Sequence, residues 1–226
     1  MIAGRDEVVR IRLAVLVSGR GSNLQAIMDA IGAGRLDASV EVVISDMPDA
    51  PALERARARG IPAVAVRRRD YSSRAEFETA LADAAERARP DLIVLAGFMR
   101  LLGPAFLDRF PGRVINIHPS LLPAFPGLEA QRQALEYGVK FTGCTVHYVD
   151  YGMDSGTIID QRVVVVMPGD DVDSLSARIL EQEHDLLVEV IRRMGEAMSK
   201  AAGERPERPR AKQSAKGDAR CGQEQA

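Results

Sequence analysis

Five short runs of almost uninterrupted apolar residues punctuate the first 120 residues of this 226-residue chain. One of them, IRLAVLVS, covers residues 11–18, and the others cover residues 40–45, 61–66, 91–97 and 113–117. A strand without polar alternation is buried on both faces, which is the environment of a parallel sheet covered by helices on both sides. The runs therefore predict an α/β protein.

The segments between these runs have the spacing of amphipathic helices. In residues 72–89, Ser72 or Ser73 is placed to cap the helix, and Pro90 ends it. One face of this helix is apolar, with Phe77, Leu81, Ala84, Ala85 and Ala88. Strands that alternate with helices in this way predict a doubly wound, mainly parallel, Rossmann-like sheet.

The pattern changes after residue 139. Residues 141–150 and 157–170 have the composition of two strands, and only the turn-forming YGMDSG lies between them. No helix fits in so short a connection, so we expect antiparallel strands at this end of the sheet. A final amphipathic helix is predicted from about residue 173 to residue 198.

The chain divides into one domain and a tail. Residues 11–198 are predicted to form a single domain, because this length suits one hydrophobic core. Residues 199–226 contain no large apolar side chain and are rich in charge, proline and alanine. Such a segment cannot offset its ordering entropy, so we expect a disordered tail.

Charge and cysteine content narrow the classes of function. A net charge of -2 and a pI near 6.0 give no electrostatic reason to expect nucleic acid or a membrane as partner. Cys144 and Cys221 lie far apart and lack metal-ligand spacing. The first apolar run is too short to span a bilayer and lacks the features of a signal peptide. We expect a cytoplasmic protein, monomer or homodimer, that acts on small molecules.

The first strand leads into a glycine-bearing turn, VSGRGSNLQAI, at residues 17–27. Glycines before a helix let backbone N–H groups approach an anion, and the helix dipole adds to the attraction. The dinucleotide fingerprint requires a glycine where this chain has Leu24. Gly21, Ser22 and Asn23 instead suit one phosphate monoester. The alternative is a simple strand-to-helix turn capped by Ser22 or Asn23.

A second motif, VINIHPSLLPAFPG at residues 114–127, joins a strand to a proline-rich loop. Period-two alternation places Asn116 and His118 on the same side of the strand, at its carboxyl end. That edge of an open α/β sheet is where ligands bind, and the prolines restrict the loop. We interpret the pair as candidate catalytic groups, with hydrogen bonding to the loop backbone as the structural alternative.

A carboxylate for this histidine is available in VDYGMDSGTII, residues 149–159, which contains Asp150 and Asp154. An aspartate beside an imidazole stabilises its protonated form. Spacing does not choose between the two aspartates, and both could be turn formers. His147 could join the site or pack within its strand, and His184 in the last helix is expected at the surface.

No protein nucleophile stands out in the sequence. Ser18 is not in a G-x-S-x-G elbow, and Cys144 lies within a predicted strand and is expected in the core. An amide, an imidazole and a carboxylate suit direct transfer between two bound substrates, in which the protein stabilises an oxyanion and moves protons.

Five segments that occur in this order together resemble the phosphoribosylglycinamide formyltransferase family: SGRGSNLQAI, LAGFMRLL, NIHPSLLPAFPG, GCTVHYVD and MDSGTII. The resemblance covers about residues 11–195. It implies the formyltransferase fold and an enzyme of purine (IMP) biosynthesis. Such an enzyme transfers the formyl group of 10-formyltetrahydrofolate to the amine of 5′-phosphoribosylglycinamide, with no metal.

The resemblance also implies roles for single residues. The catalytic residues are then Asn116, His118 and Asp154. The substrate phosphate is held by Gly21, Ser22 and Asn23, and Glu183 contacts the same substrate. The folate site is formed by Arg74, Met99, Arg100, Leu101, Leu102, Asn116, Asp150, Tyr151, Gly152, Met153 and Asp154.

Two other functions remain open on the sequence. A formyltetrahydrofolate hydrolase shares the histidine and the aspartate, but usually carries an N-terminal regulatory domain, whereas about ten residues precede the first strand here. A non-catalytic nucleotide-binding module keeps the glycine turn and needs neither His118 nor Asp154.

Overall fold

A seven-stranded sheet forms the centre of the computed structural model, which describes residues 10–203. In chain order its strands are β1 (Ile11–Val17), β2 (Ala38–Ser45), β3 (Ala63–Ala65), β4 (Leu92–Leu95), β5 (Val114–His118), β6 (Phe141–Tyr148) and β7 (Ile158–Val165). Their order in the sheet is β3-β2-β1-β4-β5-β6-β7. The first five pair in parallel, and β6 and β7 pair antiparallel. The predicted fold class is confirmed.

Helices cover both faces of the sheet. They are α1 (Ser22–Gly32), α2 (Pro51–Ala58), α3 (Arg74–Arg87), α4 (Pro104–Leu107), α5 (Ala130–Tyr137) and α6 (Val172–Gly203), with a 3-10 turn at Arg68–Asp70. The core on one face packs α1, α2 and α6 against the sheet, and the core on the other face packs α3 and α4. No helix within residues 10–203 is long and apolar enough to cross a membrane.

Strand β1 shows why its sequence lacks polar alternation. Leu13, Val15 and Val17 lie in the core with α1 and α6, whereas Ala14 and Leu16 lie in the core with α3 and α4. All five side chains are fully buried. A strand at the centre of a two-sided sheet has no face that contacts water.

The predicted amphipathic helix at residues 72–89 is α3. Ser73, rather than Ser72, is the N-cap, because its hydroxyl accepts the N–H of Glu76 at 3.1 Å. The Glu76 carboxylate reaches back to the hydroxyl and N–H of Ser72. These reciprocal bonds resemble a capping box and satisfy N–H groups that a helix leaves unpaired at its start.

The last helix is longer than predicted. α6 continues to Gly203, five residues past the expected end at Met198, so residues 199–203, which we assigned to the tail, are helical. Alanine and lysine have high helix propensity, and a formed helix propagates past its last core contact. The rest of the predicted tail, residues 204–226, lies outside the described residues.

We expect Gly143→Ala to disrupt the antiparallel end of the sheet. A Cβ at Gly143 would lie 1.9 Å from the Arg162 carbonyl oxygen and 2.9 Å from a Leu121 methyl group. The free energy of unfolding should fall by about 3 kcal/mol because the strands must separate. Urea unfolding followed by circular dichroism measures it.

Gly32→Ala is the matched control, because nothing except the end of Arg59 lies within 4 Å of the added methyl group. It should change stability by no more than about 1 kcal/mol. Equal unfolding midpoints for the two variants would contradict the steric explanation.

Candidate active site

The site lies where the sheet changes its winding direction. The neighbouring strands β1 and β4 lead to α1 and α4, which pack on opposite faces. The backbone therefore diverges at the carboxyl ends of these strands and leaves a crevice, as in other open α/β sheets. The turns that follow β1 and β4 and the end of β5 reach this edge because these strands are parallel, and the loop after β6 returns Asp154 to it.

The first cavity occupies the crevice and has a volume of about 430 Å³, a size typical of small-molecule sites. It is bounded by residues 97–102 after β4, by Asn116 and His118 of β5, by His147 of β6 and by Asp154. The structure thus brings the three predicted catalytic side chains to the edge of one cavity.

His118 is 5% exposed and contacts an acceptor through each ring nitrogen. Its Nε2 lies 2.9 Å from the carbonyl oxygen of Phe125, and its Nδ1 lies 3.3 Å from Oδ2 of Asp154. Carbonyl and carboxylate oxygens only accept hydrogen bonds. The bond to Phe125 therefore requires a proton on Nε2, and Nδ1 faces the Asp154 carboxylate.

Asp154, and not Asp150, lies beside this histidine. Oδ2 of Asp154 also accepts the N–H of Gly127 at 2.8 Å, while Oδ1 lies 3.7 Å from His147. Burial raises the pKa of the Asp154 carboxyl, but the neighbouring His147, the Gly127 N–H and the neighbouring His118 together lower this pKa by more than burial raises it. The net pKa is below its ordinary value, so Asp154 is a carboxylate at neutral pH.

Asp150 has a different task in the same loop. Its Oδ1 accepts the N–H of Gly152 at 3.1 Å and the hydroxyl of Ser155 at 2.7 Å. These bonds form the turn itself, as expected of an aspartate in a tight loop.

Asn116 is oriented by His147, whose role the sequence left open. The two residues are paired across β5 and β6, and Nδ2 of Asn116 lies 3.1 Å from Nε2 of His147. Because Nδ1 of His147 donates to the carbonyl of Tyr148 at 2.8 Å, Nε2 can accept the amide N–H of Asn116. The second amide hydrogen of Asn116 then remains available to a ligand in the first cavity.

A second cavity of about 380 Å³ adjoins the first. It is lined by residues 18–23 after β1 and by Ser176, Leu180 and Glu183 of α6. The two cavities share three lining residues, Gly97, Met99 and Gln131. Two ligands can therefore occupy separate cavities and meet at a common boundary.

Gly21 begins α1 in a conformation that requires glycine. Its φ is +73°, and a Cβ there would lie 2.6 Å from Cβ of Ala52. Neither Ser22 nor Asn23 caps the helix through its side chain, so the predicted capping alternative is wrong. The Ser22 side chain and the first-turn N–H groups of α1, which have no intrahelical partner, remain available to an anion.

Glu183 closes the second cavity from α6 and is 7% exposed. Its Oε2 accepts Nδ2 of Asn23 at 2.8 Å. Burial raises the pKa of Glu183 to about 7, although the hydrogen bond from Asn23 opposes this shift. The predicted substrate residue thus lies beside the predicted phosphate residues, 160 positions away in sequence.

A family model described as formyl transferase matches residues 11–191 of the chain. The chain belongs to the formyl transferase family.

Known relatives agree with this assignment, and the predicted resemblance is confirmed. Phosphoribosylglycinamide formyltransferase of Bacillus subtilis is 43% identical over 183 residues, which cover 81% of this chain and 94% of that protein. A crystal structure of glycinamide ribonucleotide transformylase 1 from Symbiobacterium toebii is 53% identical, with a TM-score of 0.81 and coverage of 83% and 88%.

A longer relative contains a similar segment. The trifunctional purine biosynthetic protein adenosine-3 of Drosophila melanogaster is 50% identical over 177 residues, which cover 77% of this chain. This formyl transferase spans only 13% of the length of that protein.

Most of the predicted folate residues of this formyl transferase line the first cavity: Met99, Arg100, Leu101, Leu102, Asn116, Asp150, Gly152, Met153 and Asp154. Arg74 and Tyr151 do not. The Arg74 guanidinium bonds to Glu78 and to the carbonyl of Leu101, and the Tyr151 hydroxyl donates to Asp108. A direct folate contact by either residue stays a prediction.

The predicted environment is correct for Cys144 and wrong for His184. Cys144 is fully buried in the core, as predicted, and burial raises the pKa of its thiol to about 12. His184 was expected at the surface, but it is half-buried, and burial lowers its pKa. Its Nε2 is buried without a hydrogen-bond partner among the described residues, because α6 turns this face toward the domain.

Within residues 10–203, no group of histidine, cysteine, aspartate and glutamate side chains is arranged to hold a metal ion. That the reaction needs no metal stays a prediction.

We expect Glu183→Gln to remove a pH dependence of stability. The pKa of Glu183 is raised from 4.5 to about 7 in the folded chain, so the folded state binds this proton more tightly than the unfolded state does. The contribution of this proton to the free energy of unfolding is fully present below pH 4.5 and is lost as the pH rises through 7. Relative to wild type, the variant should gain on the order of 2 kcal/mol in free energy of unfolding between pH 5 and pH 8.

Glu181→Gln, which changes an exposed carboxyl on the same helix, is the control and should not show this gain. Urea titrations at the two pH values measure the difference. A constant difference between Glu183→Gln and wild type at both pH values would contradict the prediction.

Proposed function

We propose that this formyl transferase transfers the formyl group of 10-formyltetrahydrofolate to the amine of 5′-phosphoribosylglycinamide, in purine (IMP) biosynthesis. The observation that carries the proposal is the pair of adjoining cavities. One contains an amide, an imidazole and a carboxylate, and the other contains an anion-binding helix start. The names of the relatives from Bacillus subtilis and Symbiobacterium toebii support this choice of substrate.

The formyl folate is assigned to the first cavity. Residues 99–102 and the loop 150–154 enclose it on two sides, and much of the lining is apolar, which suits a flat heteroaromatic ring. Asn116 and His118 of β5 line this cavity, where a formyl group would be in reach of the second amide hydrogen of Asn116.

The phosphoribosyl substrate is assigned to the second cavity. Gly21, Ser22 and Asn23 supply N–H groups and small polar side chains for a phosphate. Among the described residues that line this cavity, Arg20 alone carries a positive charge. Its guanidinium has no ion-pair partner in residues 10–203, and its carbonyl accepts Nε of Arg55 at 2.9 Å. The loop is therefore fixed while the Arg20 side chain remains available.

The reaction proceeds by direct attack. The neutral amine of the substrate forms a C–N bond with the formyl carbon, and the carbonyl oxygen becomes an oxyanion. The N–H of Asn116 donates to that oxygen, while the imidazolium of His118 contributes its charge. The bond from the formyl carbon to folate N10 then breaks, and a water beside Asp154 relays the proton of the amine to N10.

The alternatives fit fewer features of the structure. A formyltetrahydrofolate hydrolase uses water as acceptor and has no need of a second cavity with a phosphate cradle. A nucleotide-binding module has no need of a histidine–aspartate pair such as His118 and Asp154. An assay that follows tetrahydrofolate release with and without 5′-phosphoribosylglycinamide separates the three: release that depends on the amine supports the transferase.

We expect His118→Ala and Asp154→Asn to lower kcat at least about 100-fold, because the first removes the positive charge that stabilises the oxyanion and the second removes the carboxylate that supports this charge and holds the relay water. Formyl transfer is measured by the appearance of tetrahydrofolate at saturating substrates. Asp83→Asn, on α3 and outside both cavities, is the control and should keep wild-type turnover. Near wild-type kcat in either folded site variant would rule out the role given to that residue.

Arg20→Ala should raise KM for 5′-phosphoribosylglycinamide by about 10-fold to 100-fold, the usual value of one charge-assisted hydrogen bond to phosphate. KM for formyl folate should remain nearly constant. Arg35→Ala, an exposed arginine after α1, is the control. An unchanged KM in Arg20→Ala would show that the phosphate lies elsewhere.

A further inference from the structure

The wall of the first cavity formed by residues 99–102 depends on a buried carboxylate outside both cavities. Asp46 follows β2 and is 5% exposed. Its Oδ1 accepts the hydroxyl of Ser18 at 2.6 Å, and its Oδ2 accepts Nε of Arg100 at 2.5 Å. The Asp46 carboxylate thus connects Ser18, which follows β1, to Arg100 in the cavity wall.

Ser18 extends this connection to the backbone. Its hydroxyl donates to Asp46 and accepts the N–H of Met99 at 2.9 Å. Met99 and Arg100 are therefore both tied to Asp46, one through the main chain and one through the side chain. Because Ser18 lines the second cavity and Met99 lines both, these bonds run through the partition between the two ligands.

The Arg100 side chain is engaged within the protein. Besides the bond to Asp46, its guanidinium lies over the ring of Phe77, 5.7 Å from the centroid. It therefore serves as a tether for the wall, while 40% of the side chain remains exposed.

A second buried carboxylate acts on the same segment. Glu78 is almost fully buried and bonds to Nε of Arg74 at 2.6 Å, and Nη2 of Arg74 donates to the carbonyl of Leu101 at 3.2 Å. A Cβ at Gly103 would lie 2.9 Å from the Glu78 carboxylate, so the chain passes directly over this pair. The segment is held at both ends by carboxylate–arginine pairs.

We propose that Asp46 is a positioning residue that fixes the backbone of residues 99–101 in the shape that binds the folate ring, and so sets the affinity for formyl folate. This role rests on the proposed function of the first cavity. A buried carboxylate can accept two strong charge-assisted hydrogen bonds at fixed angles, whereas an amide in its place offers one acceptor and brings donors that face Ser18 or Arg100. Asp46→Asn therefore releases the tether without a change in side-chain volume.

The decisive measurement is the separation of KM from kcat in Asp46→Asn. KM for 10-formyltetrahydrofolate should rise about 10-fold or more, because the wall no longer presents a fixed surface. KM for 5′-phosphoribosylglycinamide and kcat at saturating folate should stay within about threefold of wild type, because no catalytic group is altered. Tetrahydrofolate binding by calorimetry should weaken by the same factor as KM rises.

Asp170→Asn is the matched control. Asp170 is also a well-buried carboxylate paired with an arginine, Arg178, but it lines neither cavity. It should lower thermal stability to a similar extent and leave both KM values unchanged. Arg100→Gln should raise the folate KM as Asp46→Asn does, and the double variant should show no further increase, because both remove one tether.

The outcomes are distinct. An active wild type whose Asp46→Asn variant keeps the folate KM overturns the positioning role and leaves the proposed function intact. Equal effects of Asp46→Asn and Asp170→Asn on all constants also overturn it, because they reflect stability alone. A wild type that shows no formyl transfer and no tetrahydrofolate binding overturns the proposed function and this role with it. A selective rise in folate KM supports the role.

Discussion

Antiparallel pairing of β6 with β5 is the constraint on which the site depends. It places His147 opposite Asn116, and the loop that follows β6 returns Asp154 to within 3.3 Å of His118. A shift of one residue in this register would turn His147 toward the core that Cys144 and Val146 now occupy. The hydrophobic alternation of β6 therefore fixes the orientation of an amide on the neighbouring strand.

The buried carboxyl groups of this protein have different hydrogen-bond partners, and each set of partners suits the position of the group. Asp46 and Glu78 each bond to an arginine, and Asp154 has a histidine and a backbone N–H. Glu183 has only the amide of Asn23, so burial prevails and the pKa rises to about 7. A bound phosphate dianion nearby would raise that pKa further, so a neutral Glu183 can lie in the same cavity without repelling the substrate.

Elements whose position depends on burial could be predicted from the spacing of apolar residues. The strands and α3 were predictable because burial on two faces or on one stripe leaves a period in the sequence, whereas the end of α6 was not, because helix propensity carried it beyond its core contacts. Residues alone did not separate Asp154 from Asp150, since both lie in one turn and only the resemblance distinguished them.

Contacts between residues far apart in sequence could not be predicted from the spacing of residues along the chain. Arg20 and Ser176 lie far apart in sequence but both line the second cavity, and Asp46, after β2, bonds to Arg100, after β4. The register of β6 against β5 was the one signal that could have identified His147, since an antiparallel partner places a side chain directly opposite Asn116.

The burial and hydrogen bonding of Cys144 and Ser18 favour direct transfer of the formyl group between two bound ligands, without a covalent intermediate on either side chain. Cys144 is fully buried and its thiol pKa is raised to about 12, so it supplies no thiolate. Ser18 lies at the partition between the cavities, but its hydroxyl donates to Asp46 and accepts the N–H of Met99. The proton and one lone pair of this hydroxyl are therefore used in hydrogen bonds within the protein. Because both side chains are engaged, neither competes with the direct attack by a substrate amine that we propose.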